Sequence, residues 1–394
     1  MQMNIRLGTF NLENLFLRYR ILDGDRTGTF NPKPIPFTDI SKFISTYTEY
    51  LEKFGGPEKL ESDPKAREKL YKELASTSKG NKILAKFLLE GVSINNLQID
   101  QLYAVNETQR KSTAKAMRGE DNEMNFPDIM ALQEVENMQA LGDFNSTNFD
   151  KHYKYRYLID GNDDRQIDVG FYSNFPATRI RTHQFAKDID GTHLFSRDCL
   201  EIDFALTDDE EKIDDSTPIL TVFNNHLKSK FIDFRVKESD REKAKQNAES
   251  KRKRQADEIV RILKERFEGN DFEKRDFIVC GDFNDSPSSP SLTKLLNSGI
   301  ENVVNRIGNG DIKKEWTYYY SQENTLEQMD YILLSPSLSK KNKNNKPEIE
   351  RRGMANYRKL KTDHNFDLKR FEGVTKRGTE ASDHCPVFME LNIE

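Results

Sequence analysis

Polar and ionisable side chains stand at the ends of several strand-like runs in this sequence. In chain order the motifs are TFNLEN (9–14), ALQEVEN (131–137), RQIDVGFYS (165–173), NNHLKSK (224–230), GDFND (281–285), MDYILLS (329–335) and SDHCP (382–386). A lone carboxylate at a strand end is usually a cap or a surface charge, so no motif indicates a site by itself. Several such motifs in a set order seldom arise by chance, and together they predict one active site.

The residue types in these motifs suit the hydrolysis of a phosphate ester. That reaction needs a deprotonated water, groups that neutralise the phosphate oxygens, and an acid that protonates the departing alkoxide. Carboxylate and amide oxygens are hard ligands that select Mg²⁺, with Mn²⁺ as the alternative ion. Asp282 and Asn284 are two residues apart at one strand end. They therefore face the same side, where they can orient the water and hold a non-bridging oxygen.

The elements that must position these side chains are strands with intervening helices. Strand-like apolar runs occupy residues 5–16, 128–135, 167–173, 200–206, 218–227, 277–284, 329–335 and 384–391. Residues 238–267 carry apolar side chains at three- and four-residue spacing, which predicts a long polar helix. Residues 286–296, rich in Ser and Pro, predict a short helix. This alternation predicts an α/β layered domain with β-sheets inside and helices outside.

The character of the chain changes between residues 23 and 112. Pro32, Pro34 and Pro36 mark an irregular stretch, and charged amphipathic windows follow it. We interpret 23–112 as a helical insertion within a single domain that spans 1–394, and 336–380 as a second, basic loop insertion. The role of the first insertion stays open, and it is a candidate site for a protein partner.

Composition places the chain among ordinary globular proteins. It has 394 residues, 61 Lys and Arg against 66 Asp and Glu, 35% hydrophobic and 10% aromatic residues. No run approaches the roughly 18 apolar residues that a membrane helix needs, and the amino terminus shows no leader pattern. The three cysteines are far apart and lack a C-x-x-C spacing, which disfavours a disulfide framework and a structural zinc. We expect a cytoplasmic protein that does not bind membranes.

Positive charge is concentrated in two segments. Residues 228–266 hold 14 Lys and Arg against 8 Asp and Glu, and residues 340–377 hold 13 against 5. One interpretation is a footprint for the phosphate backbone of nucleic acid, DNA above all. The other is a solvated helix face in the first segment and a flexible loop, KKNKNNK (340–346), in the second.

In its motifs the chain resembles the endonuclease/exonuclease/phosphatase superfamily, which includes pancreatic-type deoxyribonucleases, abasic-site endonucleases, inositol polyphosphate phosphatases and neutral sphingomyelinases. The resemblance covers about residues 4–20 and 113–394. It implies a four-layered α/β sandwich, with two packed β-sheets flanked by helices and the active site at one end. It also implies divalent-metal-dependent hydrolysis of a phosphate ester.

The resemblance implies metal ligands and a first catalytic pair. Glu134 is the first metal ligand, with Asn11 and Asp383 beside it. His384 pairs with Asp330, so that a carboxylate fixes the tautomer and basicity of the imidazole, and His384 is the candidate base.

A second pair is implied by the same resemblance. Asp168 stands where the family has an acidic partner for His226, which would protonate the leaving oxygen or stabilise the transition state. Arg197 corresponds to an arginine that grips phosphate, a task suited to a bidentate guanidinium, and Asn284 shares it.

Details of the motifs favour a nuclease. A histidine at position 226 points away from abasic-site repair, while Glu136 replaces an arginine that pancreatic-type deoxyribonucleases carry. The inositol phosphatase signature PAWCDR and the cysteine pattern of secreted nucleases are absent from the sequence. The similarity that remains, in QEVEN, NNHLKSK and GDFND, is to the deoxyribonuclease-like branch, bacterial nuclease type.

The sequence favours a Mg²⁺-dependent nuclease acting on DNA, with RNA as an open alternative. An enzyme-class rival is a phosphatase or phosphodiesterase for a small phosphorylated metabolite or lipid head group. A third reading is a catalytically silent binding or scaffold module, which the complete set of candidate residues argues against. Endonuclease or exonuclease action, strandedness, the number of metals and the oligomeric state stay open.

Overall fold

The computed structural model describes residues 3–17, 107–118, 125–163, 165–207, 209–232, 236–355, 357–366 and 368–393, with a few single positions between 52 and 105. Met1–Leu15 and Thr108–Glu394 form one compact unit, and Phe16–Glu107 forms another. The helical insertion predicted over 23–112 lies almost entirely outside the described residues. We therefore describe the first unit.

Strands and helices alternate along this unit. The strands are β1 (Met3–Leu15), β2 (Ile129–Val135), β3 (Tyr155–Leu158), β4 (Asp168–Ser173), β5 (Ala177–Arg181), β6 (Cys199–Ala205), β7 (Ile219–His226), β8 (Phe277–Asp282), β9 (Glu301–Asn302), β10 (Tyr318–Tyr320), β11 (Thr325–Glu327), β12 (Asp330–Leu334), β13 (Glu348–Ile349) and β14 (Val387–Ile393). The helices are α1 (Glu107–Arg118), α2 (Met138–Asn148), α3 (Glu238–Arg266), α4 (Asp271–Lys274), α5 (Thr293–Leu296), α6 (Asn305–Gly308), α7 (Ile312–Glu315), α8 (Pro336–Lys341) and α9 (Tyr357–His364). None of the helices within the described ranges is long and apolar enough to cross a membrane.

Two six-stranded sheets pack face to face. The first has the order β13-β14-β1-β2-β4-β3 and the second β5-β6-β7-β8-β12-β9, while β10 and β11 form a separate hairpin. Apolar side chains from both sheets join in one buried cluster, with Ile5 and Ile129 from the first and Val222 and Ile278 from the second. This confirms the predicted α/β sandwich.

The central strands are apolar on both faces because each face is covered. Val222 points into the cluster between the sheets, and its neighbour Phe223 points outward to helix α3. Ile259 and Leu263 of α3 pack in that outer cluster. The observed helix ends at Arg266, one residue before the end of the predicted range 238–267.

Helix α2 covers the first sheet. The Asn137 side chain accepts a hydrogen bond from the Ala140 backbone N–H and caps the first turn. The Tyr172 hydroxyl of β4 donates to the Leu141 carbonyl at 2.7 Å, which fixes the helix on the sheet. Helix α3 covers the outer face of the second sheet, so the four layers are helix, sheet, sheet and helix.

Strand directions gather the predicted polar residues at one end of the sandwich. β7 and β8 are parallel and bring His226 beside Asp282, while the antiparallel β12 places Asp330 beside Asp282. β1 and β2 are also parallel and align Asn11 with Gln133, next to Glu134. Because parallel strands end at the same edge, the motifs meet there.

Two local predictions differ from the structure. Within 286–296 only Thr293–Leu296 is helical, because serine hydroxyls there make local bonds, such as Ser289 to Asp285 at 2.7 Å, that compete with a helix. The predicted basic loop over 336–380 contains α8, β13 and α9, and β13 pairs with β14 at the edge of the first sheet.

Candidate active site

Asp282 is the centre of the polar cluster. It is buried at the end of β8, and its Oδ2 accepts hydrogen bonds from the side-chain amides of Asn11 at 3.0 Å and Asn284 at 2.9 Å. The same oxygen lies 3.5 Å from His226 Nε2 and 3.8 Å from His384 Nε2. The structure thus brings four other predicted residues around the carboxylate of Asp282.

His384 and Asp330 form the predicted pair. The His384 Nδ1 lies 2.9 Å from Asp330 Oδ2, and both residues are buried. Burial lowers the pKa of His384, but the charges of Asp330 and Asp282 outweigh it and hold the pKa well above its usual range. The ring therefore has a high affinity for a proton.

His226 lies in the opposite environment. Its Nε2 is 3.0 Å from Arg197 Nη2, and because a guanidinium can only donate, Nε2 must accept. Burial, followed by the charge of Arg197, holds the pKa of His226 well below its usual range. The ring is therefore neutral at pH 7, with its proton on Nδ1.

The predicted His226–Asp168 pair does not form. Asp168 Oδ1 accepts from the Gly161 backbone N–H at 2.8 Å, while His226 Nδ1 is buried without a hydrogen-bond partner among the described residues. The Gly161 backbone occupies the space beside Asp168, since a Cβ added there would lie 2.8 Å from Oδ1. Burial, with the charges of Asp160 and Asp163, raises the pKa of Asp168 to about 7.

Arg197 is anchored beside His226. It is buried, and its Nη2 also donates to the Leu227 carbonyl at 2.9 Å. Its Nη1 lies 3.2 Å from Asp163 Oδ2. Asp163, which sequence reasoning missed, therefore holds the guanidinium in place beside His226.

Four carboxylates crowd on the other side of the cluster. Burial, followed by the charge of Asp383, raises the pKa of Glu134, of Glu380 to about 7, and of Glu13 well above its usual range. Glu13 Oε2 is buried with no partner among the described residues. Arg377, 3.6 Å from Glu13 Oε1, offsets part of this negative charge, and a divalent cation would offset more of it.

This oxygen set includes the predicted metal ligands Glu134 and Asp383, with Asn11 adjacent. Asn11 Oδ1 already accepts from the Glu13 N–H at 3.0 Å, and a carbonyl oxygen has a second lone pair for a metal. Asp282, Asp330 and His384 could also hold an ion. The imidazole nitrogen in this second group would suit a transition metal, whereas carboxylate and amide oxygens are ligands of harder ions.

The backbone bends sharply where the key side chains leave their strands. Glu13, Glu134 and Asn284 have positive φ angles of 47°, 61° and 53°. The pairing of β2 is irregular between Leu132 and Val135, around Glu134. Such local strain concentrates at functional sites, and it re-aims side chains that strand alternation would send elsewhere.

Sequence comparison decides the family. A model of the Endonuclease/Exonuclease/phosphatase family matches residues 107–393. The chain belongs to this family. Its members hydrolyse phosphate esters and generally use divalent metals, so the protein is a phosphoric ester hydrolase.

Similar solved structures include an endonuclease/exonuclease/phosphatase from Bacteroides vulgatus, with 12% identity, a TM-score of 0.48 and 100% coverage of each chain. Truncated TDP2 of Caenorhabditis elegans has 14% identity and a TM-score of 0.45, over 73% of this chain and 91% of that one. The human nocturnin catalytic domain has 13% identity and a TM-score of 0.43, over 73% and 87%. No curated protein matches the chain significantly.

The basic segments of this endonuclease/exonuclease/phosphatase family member meet its second sheet at different ends. The first begins at Lys228, immediately after the active-site end of β7. In the second, Lys341 pairs at 2.8 Å with Asp276, which precedes the start of β8. β8 is about 17 Å long, so KKNKNNK lies far from Asp282. The last residue of the second segment, Arg377, lies 3.6 Å from Glu13 Oε1 and does adjoin the site.

Sequence reasoning missed three residues at the site. Glu380 and Asp163 lie in loops, and Tyr318 begins β10, with its ring centroid 4.8 Å from that of His384 and the two rings tilted by 44°. Glu380 is three residues before Asp383, a spacing that could have signalled it. No strand periodicity points to the other two.

Proposed function

We propose that the protein is a Mg²⁺-dependent or Mn²⁺-dependent nuclease that hydrolyses phosphodiester bonds in DNA. One observation carries the proposal: acidic and basic groups meet around Asp282. Glu134 Oε1 lies 3.9 Å from His226 Nε2, which contacts Arg197. A phosphodiester at this junction has a cation site on one side and a guanidinium on the other, as its hydrolysis requires.

Metal and phosphate would be held by different halves of the site. Glu134, Asp383 and Asn11 would hold the divalent cation, which, when bound, draws charge from the phosphate oxygens. Arg197 and Asn284 donate to non-bridging oxygens of the phosphate. Phosphate and cation then neutralise each other between the two halves.

Proton transfer falls to His384 and its neighbours. Asp282 and Asn284 orient the attacking water, and His384, held by Asp330, takes its proton. A cation between Glu134 and Asp383 would lower the pKa of His384, because it offsets the negative charge that raises it. Because its Nε2 accepts from Arg197, a neutral His226 suits holding that guanidinium toward the phosphate better than protonating the leaving group.

A DNA substrate is supported by the surface next to the site. The first basic segment begins at Lys228 and continues into α3, whose first residues, Glu238–Gln246, are mostly exposed.

The three cysteines, Cys199, Cys280 and Cys385, are buried and unpaired, in keeping with a cytoplasmic enzyme. A partner for the 23–112 insertion stays a prediction.

A small phosphoester is the second candidate, and pairing within the first segment favours it. Arg252 pairs with Asp285, Arg254 with Asp188, and Arg261 with Glu258. These charges are partly compensated within the protein. The positive charge left to attract a polyanion is therefore smaller than the number of Lys and Arg residues in this segment suggests.

Substrate preference tests the proposal directly. Purified protein with Mg²⁺ is given labelled single-stranded DNA, duplex DNA, RNA and bis(4-nitrophenyl) phosphate, and cleavage is followed on gels and by absorbance. We expect DNA to be cleaved with a steep decrease as salt rises. Cleavage of the nitrophenyl ester with no cleavage of DNA would overturn the nuclease proposal and favour a small substrate.

A further inference from the structure

Lys228 is a half-buried cation with its backbone fixed in place. It lies two residues after His226, and its backbone N–H donates to Gln255 Oε1 at 2.8 Å. Its carbonyl accepts from Arg252 Nη1 at 2.7 Å. Both contacts come from α3, so the base of the side chain is held rigidly at the edge of the active site.

The Lys228 ammonium has no protein partner. Across the described part of the chain, no hydrogen bond or ion pair reaches its Nζ. The contrast with Lys230, two residues later, is sharp: its Nζ lies 2.5 Å from Glu327 Oε2 and 3.2 Å from Asp285 Oδ1. One lysine of the loop is neutralised within the fold, and the other is not.

The charges nearest to Lys228 are mostly positive. Burial, followed by the charges of Arg197 and Arg165, lowers the pKa of Lys228 to about 8. The one nearby carboxylate that offsets them, Asp163, is shared by Arg197 and Arg165, at 3.2 Å from each. Gathering half-buried cations costs free energy unless an anion neutralises them.

We propose that Lys228, with Arg165 and Arg197, forms a second phosphate subsite for the phosphoryl group next to the scissile one. This inference rests on the proposed function, because it deepens the substrate of the same site. Glu134 and Asp383 repel an anion from the other side, so the second phosphoryl group lies on the Lys228 side. The enzyme would therefore favour esters that carry two neighbouring phosphoryl groups.

The test compares substrates that differ by one phosphoryl group. TpT has one phosphodiester, TpTpT adds a second diester, and pTpT and TpTp add a terminal monoester. We expect Lys228→Met to lower kcat/KM for the two-phosphoryl substrates about 10- to 100-fold more than for TpT. If kcat/KM falls more for TpTpT, the second phosphoryl group is a neighbouring diester. If it falls more for pTpT and TpTp, that group is a terminal monoester.

Two variants serve as controls. Lys230→Met removes the same charge from the same loop, and we expect it to change kcat/KM for all substrates by a similar factor. Lys228→Arg keeps the charge and should restore the preference. An equal loss on TpT and on all three two-phosphoryl substrates in folded Lys228→Met protein, or the same selectivity in Lys230→Met, would overturn the subsite.

Binding separates this inference from the proposed function. In EDTA, we expect thymidine 3′,5′-bisphosphate to bind the wild-type protein at least about tenfold more tightly than Lys228→Met protein, while thymidine 5′-monophosphate shows a smaller difference. Equal affinities for the bisphosphate would overturn the subsite even in an active nuclease. Tighter binding by the wild type without hydrolysis of any substrate would refute the nuclease and retain the subsite.

Discussion

His226 and His384 lie within 4 Å of the same carboxylate oxygen but in opposite electrostatic surroundings. Burial lowers the pKa of both rings. Arg197 lowers the pKa of His226 further, whereas Asp330 raises the pKa of His384, so the two values move apart. Groups whose environments separate their pKa values in this way take different roles in proton transfer. In the proposed mechanism, His384 moves the proton and His226 holds Arg197 toward the phosphate.

Histidine substitutions test these roles. We expect His384→Ala to lower kcat by a factor on the order of 10² to 10⁴, because no other group takes the proton. His226→Ala should reduce the hydrolysis of a normal alkyl ester and of bis(4-nitrophenyl) phosphate by similar factors, because a neutral ring that positions the phosphate-binding Arg197 acts on both. A much smaller loss on the nitrophenyl ester would instead identify His226 as the acid. Thermal unfolding of each variant is the control.

Lys228 gives the substrate preference a pH dependence. Arg165, Arg197, Asp163 and Lys251 face this lysine. Its pKa near 8 means that the ammonium is charged below that pH and is lost above it. The ratio of kcat/KM for TpTpT to that for TpT should therefore fall as pH rises from 7 to 9. The ratio in Lys228→Arg protein should stay level, and an identical fall there would assign the titration to another group.

At the scale of elements, the parallel contact of β7 and β8 positions both His226 and Asp282. Gly281 faces Asn225 across this contact with φ of +124°, and a Cβ there would lie 1.9 Å from the Asn225 carbonyl oxygen. Only glycine accommodates so close an approach. The motif GDFND therefore depends on its first residue for geometry and on its second for chemistry.

A pair of glycine variants tests this dependence. Gly281→Ala should destabilise the fold by about 2–4 kcal/mol and reduce activity, since Asn225 and its neighbour His226 must shift. Gly142→Ala in α2 is the matched control: its Cβ would lie 3.9 Å from the nearest side-chain atom, so stability should stay equal or rise slightly. Denaturant unfolding measures both. Similar stability of the two variants would contradict this account.

The sequence predicted which side chains lie at the ends of strands, but it did not predict where the loops place theirs. Motifs such as NNHLKSK and GDFND follow long apolar runs, so the parallel ends of β7 and β8 could be foreseen to bring His226 beside Asp282. The same runs predicted an α/β layered domain, and the resemblance to the family implied its four-layered sandwich. The pairing of Asp168 failed because the Gly161 backbone, in a loop without periodicity, takes its Oδ1. Glu380 and Asp163 reach the site from similar loops.

At the scale of the whole molecule, charge is separated by position. The chain has a net charge of −5, yet the basic residues Lys228 and KKNKNNK lie at opposite ends of one sheet. Lysines about 17 Å from Asp282 contribute to binding of a long polyanion only if that polyanion spans the distance. For binding a substrate at the site, the position of the lysines therefore matters more than their number.

Neutralising the distant lysines tests this separation. We expect Lys340→Gln, Lys343→Gln and Lys346→Gln, combined, to leave the hydrolysis of TpTpT and its salt dependence unchanged. Lys341 is left intact because it pairs with Asp276. A flatter salt dependence with short substrates would contradict the placement of KKNKNNK outside the site. With long duplex DNA, the same variant reports how far the substrate extends.

The most direct measurement is hydrolysis of labelled DNA by metal-stripped protein as Mg²⁺ is added back, for the wild type and for Asp282→Asn. The account predicts no cleavage in EDTA, recovery with Mg²⁺ or Mn²⁺, and a loss on the order of 10³-fold in folded Asp282→Asn protein, because the side chain at the centre of the cluster loses its charge. Cleavage that persists in EDTA, or wild-type rates in Asp282→Asn, would contradict the account.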